Sequence, residues 1–237
     1  MLFRRNLGGL PPKKAVPIQT LTTGLVSWWP MTEASGATRV DVKGPHNLAN
    51  GEGAVSQVAG QVETFASGFP GGGSNRALTI GDVATLPFHQ TWTVMMWLKP
   101  TIVLPTPQGL MGKHHTEFRA FMLGSDSGAG GGVLLELVAS QPIYFASLTM
   151  AEWALLIWFY DPIGGAGGSK NGGARSVQAV TSQIPDGSNA FWIGQEAGSG
   201  FPFIGSMGPC AFWNRILGDA EVAALWNNGD GLAYNEL

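Results

Sequence analysis

The stretch Thr91–Lys99 alternates between two registers, and both are largely apolar. Trp92, Val94, Met96 and Leu98 fall on one face, while Thr93, Met95, Trp97 and Lys99 fall on the other. Successive side chains of a strand point to opposite sides of its sheet, so this strand does not suit a sheet with one side in water. It is covered on both sides, or faces a partner on one. Around it the chain carries 35 Gly and 15 Pro in 237 residues, which interrupt every candidate helix but the last and exclude a long helical array. The hydrophobic fraction of 44% excludes a disordered chain, and the glycines keep no triplet period, which excludes a collagen-like one. A single β domain is expected, since such domains often reach roughly 200–250 residues.

Short apolar runs between Gly, Pro, Asn and Asp turns supply further strands. They are Leu25-Val26-Ser27-Trp28-Trp29, ended by Pro30, then Leu78–Ile80, Phe118–Leu123, Val133–Ala139, Ile143–Ser147, Trp153–Tyr160, Ser176–Ala179, Phe191–Gly194 and Phe203–Trp213. That spacing predicts a β-sandwich or jelly roll. One helix is expected at Asp219–Asn227, with an apolar stripe at Val222, Leu225 and Trp226 and acids in its first turn. Gly218 stands at its N-cap, Glu221 at the capping-box position, and Asn228-Gly229 at its stop.

Residues 1–23 follow neither period and centre on Leu10-Pro11-Pro12-Lys13-Lys14, which reads as an extended arm ahead of a domain at 24–237. Residues 1–32 carry a charge of +4, from Arg4, Arg5, Lys13 and Lys14, and the remainder carries −7. Four separated charges on an acidic body suit protein docking better than nucleic acid. Cys210 is the single cysteine, so neither an intrachain disulfide nor a Cys-based metal cluster can form. No secretory signal is visible after Arg5, and the apolar run Trp153–Tyr160 is too short to span a bilayer. A protein made in the cytoplasm, without membrane contact, is expected.

Five segments in order carry a resemblance. Gly24-Leu25-Val26-Ser27-Trp28-Trp29-Pro30-Met31 precedes a Gly/Asn-rich loop with Asp41 and Gly44. Next come Trp92-Thr93-Val94-Met95-Met96-Trp97-Leu98-Lys99-Pro100, Ala151-Glu152-Trp153 leading to Tyr160-Asp161, and the Asn171-Gly172 hairpin. Phe203-Ile204-Gly205 through Phe212-Trp213-Asn214-Arg215-Ile216-Leu217 closes the series ahead of the helix. This order resembles the concanavalin A-like, laminin G/pentraxin-like jelly-roll family, over about Gly24 to Leu232. The resemblance implies an all-β concanavalin A-like jelly-roll sandwich with one short C-terminal helix and an extended N-terminal arm.

That fold hosts lectins, hydrolases, adhesion modules and structural domains, so the side chains have to decide. A glycoside hydrolase needs two carboxylates flanking the scissile bond. Glu136 has no acidic partner at strand spacing, and Glu117, Asp126 and Glu196 are isolated, so no enzyme is expected. His114 and His115 would point to opposite faces of a strand and not share a metal. His46 and His89 lie far from them in the sequence. Gly164–Lys170 lacks the Gly-Lys-Ser/Thr order of a phosphate loop and reads as a loose hairpin.

Relatives of this kind often bind calcium at the sandwich rim, and Asp41 and Asn47 are the matching ligand candidates. The acidic pair of many relatives is replaced here by Gly205-Ser206-Met207-Gly208-Pro209, so no cofactor is expected unless calcium binds at that loop. Phe69, Phe88 and Phe201 fall in predicted loops and are candidates for glycan contact.

Domains of this family are frequent in bacteriophage virions. The first expectation is therefore a non-enzymatic structural component of a large assembly, a capsid decoration, fibre or tail attachment. Phe3, Arg4, Arg5, Lys13 and Lys14 would dock on capsid or tail proteins, with homo-oligomerisation open. A carbohydrate-binding or adhesion module, reading a host-surface glycan, is the alternative, and a glycoside hydrolase the third.

Overall fold

A computed structural model describes residues 20–51, 53–70, 76–125, 131–138, 141–195 and 201–237. The described residues build two antiparallel sheets packed face to face. One holds eight strands: β1 (Leu25–Trp29), β3 (Ser56–Ala59), β4 (Phe65–Phe69), β6 (Trp92–Pro100), β11 (Ala154–Asp161), β12 (Gly165–Lys170), β13 (Ser176–Gln178) and β15 (Gly205–Trp213). The other holds seven: β2 (Ala49–Asn50), β5 (Leu78–Ile80), β7 (Gln108–His114), β8 (Phe118–Met122), β9 (Gly132–Leu137), β10 (Gln141–Ser147) and β14 (Phe191–Ile193). The all-β sandwich expected from the sequence is the fold found.

The strand β6 lies inside the eight-stranded sheet, between β11 and β15. Trp92, Val94, Met96 and Leu98 enter the core between the two sheets. Met95 and Trp97 enter a second core on the sheet's outer side, where they meet Trp28, Leu155, Ile157 and Trp213. That second core is roofed by α1 (Asp219–Trp226), which buries Val222 and Leu225, and by Leu232 in the segment after the helix. The Trp226 ring stacks on Trp97 at 5.2 Å, completing the expected stripe. Glu221 accepts the Gly218 N–H at 2.8 Å, which is half of a capping box. The helix stops where Asn227 and Asn228 take left-handed angles.

Residues 20–23, read from the sequence as part of the arm, pack on the domain. Leu21 is fully buried in the second core, and the Trp213 indole N–H donates to its carbonyl at 2.7 Å. Arg215 binds the Thr20 and Thr23 carbonyls, both at 2.7 Å, and holds Glu221 at 2.6 Å.

Five strands escaped the sequence reading: β2, β3, β4, β7 and β12. The last is the glycine run that reads as a loose hairpin. It pairs with both β11 and β13, although glycine is a poor strand former. Its neighbours explain this. A Cβ on Gly168 would overlap the Phe145 ring, and one on Gly167 the Ser176 carbonyl. The glycines let β10, at the edge of the opposite sheet, close down on β12.

Candidate functional site

The outer faces of the two sheets differ. The eight-stranded sheet is covered by its own chain. On the seven-stranded sheet, β8 and β9 alternate, with Phe118, Ala120, Met122, Val133, Leu135 and Leu137 pointing into the core. The opposite parity, Arg119, Phe121, Leu134 and Glu136, points outward. Pairing lines these residues up with those of the adjacent strands. One row runs Pro142, Glu136, Arg119, Gly112, Trp192 and Thr79 across five neighbouring pairs. A second row runs Tyr144, Leu134, Phe121 and Gly109.

The rows are tied together by side chains. Arg119 Nε donates to Glu136 Oε2 at 2.9 Å, and its guanidinium lies 4.8 Å from the Phe121 ring centre. Phe201 meets Phe121 edge-on at 6.3 Å. Tyr144 is 53% exposed, and Trp192 is partly so. Strands lie roughly 4.8 Å apart, and Gly112 adds no side chain between Trp192 and Arg119. Chemically, Tyr144, Trp192 and Phe201 offer aromatic surface for the C–H side of a sugar or for an apolar partner, while Phe121 and Leu134 are buried beneath. Beside them stands a fixed guanidinium–carboxylate pair that can both donate and accept hydrogen bonds.

Of the aromatic candidates, Phe201 stands at this face. Phe69 and Phe88 do not, and the expectation that they are exposed loop residues is corrected. Phe69 ends β4, 1% exposed, against Phe203. Phe88 sits in a turn yet is 3% exposed, because its ring plugs the end of the core among Trp92, Phe118, Phe191 and Phe212. Trp192, Tyr144 and Arg119 were missed. Strand parity alone does not say which register is inward, and tryptophan in a strand usually means core.

Asp41 and Asn47 serve the loop itself. Asp41 Oδ1 accepts the N–H groups of Trp28, Lys43 and Gly44 at 2.9–3.0 Å, and Oδ2 accepts that of His46 at 3.2 Å. Asn47 Oδ1 accepts the Asp41 N–H at 2.9 Å. Burial alone would raise the Asp41 pKa; the hydrogen bonds from Trp28, Gly44, Lys43 and Ser27 outweigh it and hold the carboxyl below its usual range. His46 Nδ1 lies 2.6 Å from Ser27 Oγ and 3.2 Å from Asp41 Oδ2, with Nε2 at 2.6 Å from Thr85 Oγ1. Both potential relay partners share one ring nitrogen, so the cluster braces the loop and has no serine-hydrolase geometry. Among the described residues, no three His, Cys, Asp or Glu side chains are grouped to hold a metal ion.

Lys113 Nζ donates to Asp82 Oδ1 and to the Gly187 carbonyl, both at 2.8 Å, and forms an ion pair with Glu117 Oε2 at 2.9 Å. Glu117 is 1% exposed and also bound by Asn189. The His114 and His115 rings lie 3.9 Å apart, tilted at 46°, rather than on opposite faces, because β7 ends at His114. The arm candidates Phe3, Arg4, Arg5, Lys13 and Lys14 lie outside the described residues, as do Asp126 and Glu196.

These features define a jelly-roll β-sandwich in which one sheet's outer face is partly buried around Phe121 and Leu134 and exposes Tyr144, with Trp192 and the Arg119–Glu136 pair partly exposed. A family model described as the concanavalin A-like lectin/glucanases superfamily (Laminin_G_3) matches residues 71–223, and the chain belongs to that family. The chain is similar in structure to the Trypanosoma rangeli sialidase in complex with 2,3-difluoro-KDN, with a TM-score of 0.64 and 16% identity. The match covers 89% of this chain and 34% of the sialidase. It is similar also to the binding domain of botulinum neurotoxin DC solved with rat synaptotagmin II, with a TM-score of 0.67, 13% identity, and 87% and 52% of the two chains covered. A botulinum neurotoxin type C structure, from a toxin whose cell entry depends on interaction with two ganglioside molecules, gives 0.67 at 11% identity over 89% and 52%. The chain thus spans a third to a half of these proteins, and the likeness is one of fold. No curated protein sequence matches it. No helix among the described residues is long and apolar enough to cross a membrane.

Proposed function

We propose that this protein is a non-enzymatic recognition module that holds a glycan on the outer face of its seven-stranded sheet. The observation that carries the reading is the difference between the two outer faces. One is sealed by α1 and the C-terminal residues, while the other presents Trp192, Tyr144 and the Arg119–Glu136 pair. The fold's presence in a sialidase and in toxin binding domains supports the same reading. The carboxylates argue for binding over hydrolysis. Glu136 is committed to Arg119, and Glu117 is buried against Lys113 and Asn189, so neither is placed to protonate a leaving group.

The test is binding of the full chain to a broad panel of soluble glycans, followed by calorimetry on any hit. Trp192→Ala and Tyr144→Ala should keep the wild-type melting temperature within a few degrees, since neither ring belongs to the central core. Each should weaken binding by about 2- to 12-fold, the equivalent of roughly 0.5–1.5 kcal/mol per stacked ring. Wild-type affinity in the Trp192→Ala, Tyr144→Ala double variant would refute the assignment of the face.

The second reading, a structural component of a large assembly such as a virion, rests on the basic, proline-containing composition of residues 1–19. Co-sedimentation of the chain with large particles at fixed stoichiometry is its test. A chain that stays at the top of the gradient rejects it.

A further inference from the structure

A cleft of about 330 Å³ is walled by residues 82–90, which lead from β5 to β6, and by residues 185–186, which lead from β13 to β14. Both walls are anchored to the body of the fold. Thr85 Oγ1 lies 2.6 Å from His46 Nε2, and the Phe88 carbonyl accepts the Trp92 indole N–H at 2.9 Å. Beside the other wall, the Ile184 N–H donates to Tyr160 Oη at 2.9 Å. Lys113, from β7, ties the walls together. Its Nζ donates to Asp82 on one side and to the Gly187 carbonyl on the other, both at 2.8 Å. A cleft whose width is fixed in this way loses little freedom when a ligand enters it.

The chemistry of the cleft is one-sided. Among the described residues that line it, Lys113 is the only cation, and it is 4% exposed and already held by Asp82. Glu117 Oε2 lies 2.9 Å from the same Nζ, yet it is buried and accepts no hydrogen bond. Asp82 and Asp186 line the cleft with side chains 40% and 76% exposed. Among the described residues, the Oδ2 atom of neither has a hydrogen-bond partner. Gln90 Nε2 donates to His89 Nε2 at 3.2 Å, which puts the ring proton on Nδ1, facing Asp186 Oδ1 at 3.0 Å. Three carboxylates thus meet one ammonium, and the buried one is poorly screened by salt. Val83, Pro87 and Pro185 complete the lining with aliphatic surface.

We propose that this cleft is a binding site for a small primary ammonium compound with an aliphatic body. Its N–H groups donate to the Oδ2 atoms of Asp82 and Asp186, and its methylenes lie on Val83, Pro87 and Pro185. The same carboxylates repel an anion, and a neutral polyol gains nothing from the net charge. The site uses none of Arg119, Glu136, Tyr144 and Trp192, so it stands whether or not a glycan is held there.

The experiment is a titration of the nitrogen-15-labelled full chain with 1,4-diaminobutane at constant ionic strength, read by amide chemical shifts. The expected result is a saturable shift confined to residues 82–90, 113 and 185–187, half complete in the low millimolar range. Asp186→Asn, an exposed change, should keep the wild-type melting temperature and raise the half-point roughly fivefold, the upper end for a solvent-exposed ion pair. Asp186→Lys should abolish the shift, because its own ammonium reaches the cleft. A shift linear in concentration, or one spread over the whole acidic surface, would overturn the proposal. So would a half-point unchanged in both variants, or equal binding of tetramethylammonium, which has no N–H to donate. Saturable shifts with glycerol and none with the amine would overturn it in favour of a polyol.

Discussion

Asp41→Asn offers a direct test of what the 41–47 loop does. The wild-type carboxylate is fully buried and receives four backbone N–H groups, three on Oδ1 and one, from His46, on Oδ2. The amide keeps an oxygen for the first three. It turns an NH2 toward the His46 N–H, so a donor faces a donor and one charge-assisted bond is lost. Hydrogen bonds to charged groups are worth about 1.5–3 kcal/mol, and an orphaned buried donor costs about 1–3 kcal/mol. A net destabilisation of roughly 2–4 kcal/mol follows, which for a domain of this size lowers Tm by roughly 4–16 °C.

The pH dependence has a definite sign. The Asp41 carboxyl is held below its unfolded value, so its contribution is complete above the usual carboxylate range and is lost as pH falls through the folded-state value. Thermal unfolding from pH 7 down to pH 3 should therefore show the gap between wild type and Asp41→Asn closing with acid. Millimolar calcium should raise neither Tm, because the oxygens a cation would need are already engaged. A variant within about 0.5 kcal/mol of wild type, a gap that stays constant with pH, or a calcium-dependent rise in Tm would refute this account.

Two further outcomes are expected. Gly167→Ala should cost about 1–3 kcal/mol, because the new methyl overlaps the Ser176 carbonyl and β13 must peel from β12; hydrogen exchange at the β13 amides is the readout, and unchanged protection there would contradict it. Cys210 is fully buried, and burial pushes its thiol well above the ordinary range. A maleimide should leave the native protein unlabelled and react with the one thiol only after unfolding.

Much of the architecture is legible in the sequence because strand parity is a local property. The alternation of Thr91–Lys99 says that both faces are apolar, to be covered on both sides or to face a partner on one, and the structure supplies both layers from the chain itself. The helix is legible for the same reason, its stripe and first-turn acids lying within one short segment. The site is less so. Phe88 looks like a loop aromatic and is a core plug, while Trp192 looks like core and stands on the open face.

The sequence by itself determined the β class, a strand apolar on both faces, the closing helix and the absence of an intrachain disulfide, since each follows from residue type and spacing. Tertiary structure decided the rest. It made a strand of Gly165–Lys170, because only the approach of Phe145 and Ser176 rewards the missing side chains. It turned Asp41 into a loop brace by bringing the Trp28 N–H to it across 13 residues. It roofed one sheet with α1 and left Tyr144 exposed and Trp192 partly exposed on the other. No local pattern encodes where a segment 120 residues downstream will pack.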